Sequence, residues 1–366
     1  MIYKFFIGKK LLKRLNLGVL ITAIIIVLFG CMNIYSVGGR YYMKLQLTWL
    51  MLGLITVYVI LLFDYMFLQN IAGILYWFSI FLLLLNDFLL GSTTKGATSW
   101  IKFGNRAIQP SEFAKLALII MLSKKLDDME GNINEPKNFI ILVIYALIPM
   151  ILIVIQPDMG MTMVCFFTVL GIFFAAGLNL KIIIGGLNGI LALVAIIWNS
   201  PLMKPYWKGR LVSFLNPEKY ELDYGHQLIE SQRGIGSGGV FGTGFLRGKQ
   251  FKFVPEAHTD FIFSVLGEEW GLLGGIFLLI LYGVLIYNMI NTARKSKDIF
   301  GTMLCVGIIS SLLFSVLQNI GMTIGIMPIT GITLPFMSYG GSSMLTNFMS
   351  IGIVLNVGIR NKKLNF

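Results

Sequence analysis

The chain has 366 residues, of which 56% are hydrophobic and 13% charged, with a mean hydropathy of +0.80. A water-soluble domain carries about 25% charge, so a soluble enzyme is excluded. A disordered chain is excluded too, because its apolar fraction is low. There are 29 Lys and Arg against 17 Asp and Glu, a formal charge of +12; in a chain this apolar, excess base fits positive loops beside a membrane rather than nucleic acid.

A spanning helix needs about 17–25 mostly apolar residues. In chain order the runs are Leu17–Tyr35, Leu45–Phe63, Ile71–Leu90, Ser111–Lys125, Phe139–Ile155, Met159–Leu178 and Ile182–Trp198. A polar stretch follows over 199–260, and Phe261–Ile290, Phe300–Ile326 and Ser343–Ile359 complete about ten helices. The fold expected is therefore an all-α polytopic membrane protein forming one integral membrane domain over 1–366. It comprises a basic N-terminus (1–16), helices one to seven (17–198), a long loop (199–260), helices eight to ten (261–359) and a tail (360–366). Cys31, Cys165 and Cys305 each fall inside an apolar run without metal-ligand spacing, so they read as packing residues.

The first run is preceded by Lys4, Lys9, Lys10, Lys13 and Arg14 and followed by no small-residue cleavage site, so it reads as a retained helix with the N-terminus inside. Ten passes return the C-terminus to the cytoplasm. In this arrangement fifteen Lys and Arg flank the helices inside, against five (Arg40, Lys44, Lys95, Lys102 and Arg106) in the short outer segments. The outer segments are then 36–44, 91–110, 156–158, 199–260 and 327–342, and nearly every unusual polar cluster falls there.

Residues 253–264 are the richest of these clusters. Glu256, His258 and Asp260 place three titratable groups within five residues at a membrane boundary. Asp260 can be an N-cap. Alternatively, Asp260, Ser264 and Glu268 form a polar stripe at i, i+4 and i+8 leading inward. Intramembrane acids such as Glu268 and Glu269 are costly and usually face a cavity or partner helix. Gly267, Gly271 and Gly275 suggest close helix packing.

Residues 96–115 form a second cluster, in which Gln109-Pro110-Ser111-Glu112 reads as a helix start and Glu112 and Lys115 can pair at i, i+3. Trp100 is either an interfacial anchor or a stacking platform for a sugar. Gln156-Pro157-Asp158 reads as a tight turn. Residues 328–343, with Ser342 and Ser343, form irregular backbone that survives at membrane depth only if buried or lining a wet cavity. The long loop is basic, and Arg210 and Arg233 suit phosphate recognition. Its glycine run, 234–244, lacks the ending of a P-loop.

Six segments resemble the SEDS family: GATSWIKFG (96–104), QPSEFAK (109–115), QPDMG (156–160), 225–245, 253–271 and 319–343. The form of 156–158 and of 328–331 is nearer to the RodA branch than to FtsW or SpoVE. The resemblance implies a SEDS-type fold. It also implies a peptidoglycan glycosyltransferase that polymerises the undecaprenyl-diphosphate-linked disaccharide-peptide, lipid II, at the outer face of the cytoplasmic membrane during elongation. A class B penicillin-binding protein is the implied partner, with other elongation-complex proteins as further candidates. Carried over by motif, Asp260 is the essential acid, Trp100 supports activity, and Glu112–Lys115 is a structural ion pair.

For the reaction that the resemblance implies, the chemistry of the step points to the same residue. Attack by a sugar hydroxyl on an anomeric carbon needs a base, and a carboxylate at a cavity mouth supplies one; Asp260 is the expected base. Arg210 is a candidate for the departing diphosphate, and a divalent cation is the other; the sequence leaves that choice open. Two alternatives compete with polymerisation: a lipid II flippase, and a scaffold for the cross-linking partner in which Asp260 is dispensable.

Overall fold

The structure, a computed structural model, describes residues 14–94, 97–103, 106–198, 200, 205–220 and 225–360. It is a helical bundle: α1 (Leu17–Leu62), α2 (Met66–Leu85), α3 (Pro110–Asp128), α4 (Pro136–Ile155), α5 (Met159–Ala175), α6 (Leu180–Trp198), α7 (Pro205–Leu215), α8 (His226–Gly238), α9 (Ile262–Arg294), α10 (Ile299–Ile324) and α11 (Gly341–Ile359). Among the described residues, six helices are long and apolar enough to cross a membrane (α1, α2 with its extension to Phe88, α4, α9, α10 and α11), and two shorter apolar helices join them. α3 carries too many charges to count by composition, yet it is buried along most of its length. Large apolar side chains face outward around the bundle, with Ile74 at 71% and Ile196 at 70% exposure. A surface this apolar needs lipid or a partner against it.

All ten runs read from the sequence fall on helices, but the connections differ from expectation. The first two runs form two helices, labelled together as α1, that meet at Gly39 (φ 66, ψ −165). That conformation is open essentially to glycine alone. The partners of α1 show that the chain reverses there. Asn16 bonds to Asn288 at one end of α9, Ser36 reaches Glu269, Gln46 donates to Ser338 O, and Ile60 O and Phe63 O accept from Asn356 near the end of α11. The reversal expected within 36–44 is thus made at Gly39, in a turn tighter than a nine-residue loop.

The outer segment 91–110 is also not plain loop. Gly91–Thr94 (β1), Ala97–Phe103 (β2) and Arg106–Ile108 (β3) pair as an antiparallel sheet, with Ser92 opposite Trp100 and Ile101 opposite Ile108. The region 199–260 likewise contains α7 and α8. The sheet, α7, α8 and the irregular segment 325–340 gather at one end of the bundle, the loop-rich end.

Candidate active site

The expected unbroken span over 261–290 is interrupted at Gly271 (φ 62, ψ −161). The segment after α8 is wedged into this break. A Cβ on Gly271 would stand 2.4 Å from Gly242 N and 2.6 Å from Val240 O, so neither chain has room for a side chain here. Four backbone hydrogen bonds bridge the break. Leu272 and Leu273 donate to Gly239 O and Val240 O, and Thr243 and Gly244 donate to Glu268 O and Glu269 O. A helix broken at membrane depth is tolerated only where neighbours restore these bonds.

The same wedge explains the two intramembrane acids. Glu268 accepts from the backbone amides of Lys249, Gln250 and Phe251 at 2.5, 2.8 and 2.7 Å. Glu269 accepts from Leu246 N at 3.0 Å and from the Ser36 hydroxyl at 2.9 Å. Neither lines the cavity described below; they anchor the loop 246–251. The inward stripe Asp260–Ser264–Glu268 is therefore not formed. Glu268→Ala is expected to leave three amides without an acceptor and to cost at least about 3 kcal/mol, since each bond to a charged group contributes about 1.5–3 kcal/mol. Faster hydrogen exchange at 249–251, together with a lower unfolding midpoint, is the measurement that checks it.

At the loop-rich end, a cavity of about 310 Å³ gathers residues from six segments. Ser99 and Trp100 come from β2, Gln109 and Glu112 from the start of α3, and Pro157 and Asp158 from the turn before α5. Arg210 enters from α7, Glu256, Thr259 and Asp260 from the approach to α9, and Thr330, Gly331, Thr333, Tyr339 and Ser343 from the last irregular segment and α11. A ligand pocket typically holds about 300–1,000 Å³.

Asp260 is not a cap. α9 starts at Ile262, and its N-cap residue is Phe261, with no side-chain cap bond. The Asp260 carboxylate instead faces the cavity, its Oδ2 3.6 Å from where a Cβ on Gly331 would stand. Glu256 lies beside it and accepts from the Thr259 hydroxyl at 3.0 Å. Arg210 Nη1 donates to Ile329 O at 3.3 Å, which ties α7 to the cavity rim.

The remaining predicted residues divide between wall and exterior. Lys115 Nζ stands 2.7 Å from Glu112 Oε2, both side chains buried, and the Thr346 hydroxyl donates to the same oxygen at 2.9 Å. Ser343 shares a 2.9 Å hydroxyl contact with Thr333. Ser342 turns away from the cavity and accepts from Gln109 N at 3.2 Å. His258 stands behind the wall, its ring 4.8 Å from Tyr42 and 5.9 Å from Tyr339. Arg233 is outside: it lies on α8, half-exposed, and pairs with Glu230 one turn earlier. The three residues Ser342, His258 and Arg233 are thus corrected from cavity candidates to supporting or surface positions.

The sequence marks Asp158 only as part of a turn. In the structure it caps α5 through Met161 N at 3.0 Å and accepts from Gln109 Nε2 at 3.0 Å. Burial pushes its carboxyl above the ordinary carboxylate range, against the pull of these two bonds and of Arg210. The described lining therefore holds four acids and one base, Arg210. Among the described residues no three of His, Cys, Asp and Glu converge closely enough to hold a metal ion.

A family model described as "Cell cycle protein", covering FtsW, RodA and SpoVE, matches residues 10–363. The chain belongs to this family. Stage V sporulation protein E of Bacillus subtilis is 35% identical over 356 residues, covering 93% of this chain and 96% of that protein. Peptidoglycan glycosyltransferase MrdB of Escherichia coli K12 is 33% identical, covering 96% and 95% respectively. Among solved structures, a chain of a peptidoglycan synthase complex matches with a TM-score of 0.84 and 31% identity over 95% of this chain and 98% of that one. Thermus thermophilus RodA matches with a TM-score of 0.73 and 28% identity over 95% and 98%. The FtsW/RodA/SpoVE fold accounts for the polytopic bundle. Relatives from all three branches match at similar identity.

Proposed function

We propose that this chain is a peptidoglycan glycosyltransferase that polymerises lipid II, with Asp260 as general base. The observation that carries the reading is the convergence of Asp260, Trp100 and Arg210, from three distant segments, on one cavity. The names of the relatives, peptidoglycan glycosyltransferases among them, support the same reaction.

The geometry suits a direct displacement. Asp260 takes the proton from the 4-hydroxyl of the acceptor sugar. The freed oxygen attacks the anomeric carbon of the donor as the bond to the diphosphate breaks, and undecaprenyl diphosphate leaves. Direct attack inverts the anomeric centre and needs no carboxylate nucleophile. The Arg210 guanidinium offers paired donors to the departing diphosphate, and Trp100 offers a ring face to a sugar. No step is assigned to a divalent cation.

The loop-rich end faces outward and both termini lie in the cytoplasm, a placement supported by the fifteen-to-five distribution of base around the short segments. A class B penicillin-binding protein cross-links the product; the likeness to a chain of a peptidoglycan synthase complex supports such a partner. The forms of 156–158 and 328–331 support a role in elongation.

The test is reconstitution of the chain with its partner in vesicles supplied with labelled lipid II. Glycan ladders are expected. Movement of lipid II across the bilayer without polymer would overturn the reading in favour of a transporter, and absence of both would leave a scaffold.

A further inference from the structure

Asp260 lies just before the first turn of α9, outside that helix's hydrogen-bond ladder. Its backbone carbonyl is held from another helix. Asn319 of α10 donates from Nδ2 to Asp260 O at 2.8 Å and to Ile332 O at 2.6 Å. Asn319 is fully buried, and it does not line the cavity. Ile332 follows Gly331, the residue that stands against the Asp260 carboxylate. One amide group thus clamps the backbone on both sides of that carboxylate.

The other end of Asn319 indicates what the residue is for. Its Oδ1 is buried and has no hydrogen-bond partner. An orphaned buried acceptor costs about 1–3 kcal/mol, and an orphan in a native structure calls for an explanation. An apolar residue would avoid that cost but could not join the two carbonyls. The neighbouring Gln318 provides a comparison: its Nε2 donates to Pro328 O at 2.9 Å, so it holds the same irregular segment without touching the Asp260 peptide.

We propose that Asn319 is a positioning residue for the glycosyl transfer: it fixes the Asp260 peptide against the 331–332 segment and so aims the carboxylate at the acceptor hydroxyl. The inference rests on Asp260 being the base. A misplacement of about 1 Å at a reacting group can cost about 10²-fold in rate.

The test compares wild type, Asp260→Ala, Asn319→Asp, Asn319→Leu and Gln318→Met, each with the partner and labelled lipid II. Asn319→Asp keeps the shape while removing the paired donors, which guards against a folding failure of the leucine variant. It is expected to lower kcat tenfold or more with KM within twofold while remaining folded at the assay temperature, its unfolding midpoint lowered by the two carbonyls left without a donor, whereas Gln318→Met stays within about threefold of wild type. Wild-type kcat in Asn319→Asp overturns the proposal. So does a fall of kcat matched by an equal loss of substrate affinity, because that pattern marks a purely structural residue. Polymer made equally well by wild type and Asp260→Ala refutes instead the base assignment on which the proposal stands.

Discussion

Asp260→Asn is expected to slow polymerisation by about 10²–10⁴-fold, the range general base catalysis supplies, and to leave the fold intact. The side chain lines the cavity and caps no helix, and the backbone contact to Asn319 uses the carbonyl, which the substitution keeps. The amide has nearly the shape of the carboxylate but cannot accept a proton at neutral pH. Ladder formation from labelled lipid II, followed beside the unfolding midpoint, separates the two effects. A variant that polymerises at the wild-type rate would remove Asp260 from the chemistry. Two other acids of the lining are less suited to proton abstraction, because Glu112 is paired with Lys115 and Asp158 is occupied by Met161 N and Gln109.

Lys115→Met is expected to be among the most destabilising single changes in the chain. Glu112 and Lys115 are both buried, and they meet at 2.7 Å on α3, the helix most enclosed by the bundle. Removing the cation leaves a buried carboxylate supported by the Thr346 hydroxyl alone, and breaking such a pair costs about 3–5 kcal/mol. The double variant Glu112→Gln/Lys115→Met is expected to recover most of that loss, because replacing both members of a buried pair is often close to neutral. Unfolding in detergent measures both. A single variant within about 1 kcal/mol of wild type would show that the pair contributes little to the fold.

The apolar runs were legible because lipid demands near-continuous apolarity, which survives any detail of packing. Glu112 and Lys115 were legible for a related reason: i, i+3 spacing on a helix brings the two side chains together regardless of what surrounds them. Asp260 stood out as an acid at the end of a greasy run. What escaped depended on tertiary contact. The break between the first two runs was legible, and Gly38-Gly39 marks a turn, but nothing local showed that a single residue, Gly39, makes the reversal. Glu268 and Glu269 carried the mark of cavity acids, but their partners are backbone amides at 246–251, delivered by a glycine-rich segment whose route no periodicity reveals. The strand Ala97–Phe103 carries no clean alternation, since Thr98 and Ser99 are both polar and Trp100 and Ile101 both apolar, so its pairing shows only in the structure. Asp158 read as a turn because its neighbours Gln109 and Arg210 are distant in the chain. Arg233 shows the converse: a residue type suited to phosphate, directed by its helix to the surface.

The most direct measurement is a structure of the chain with its partner, a lipid-linked donor and a glycan acceptor trapped before transfer. The expected result is an Asp260 carboxylate oxygen about 2.6–3.2 Å from the acceptor 4-hydroxyl, or one water away, with the diphosphate beside Arg210. A reacting hydroxyl bound at another acid, or an acceptor seated outside this cavity, would contradict the assignment.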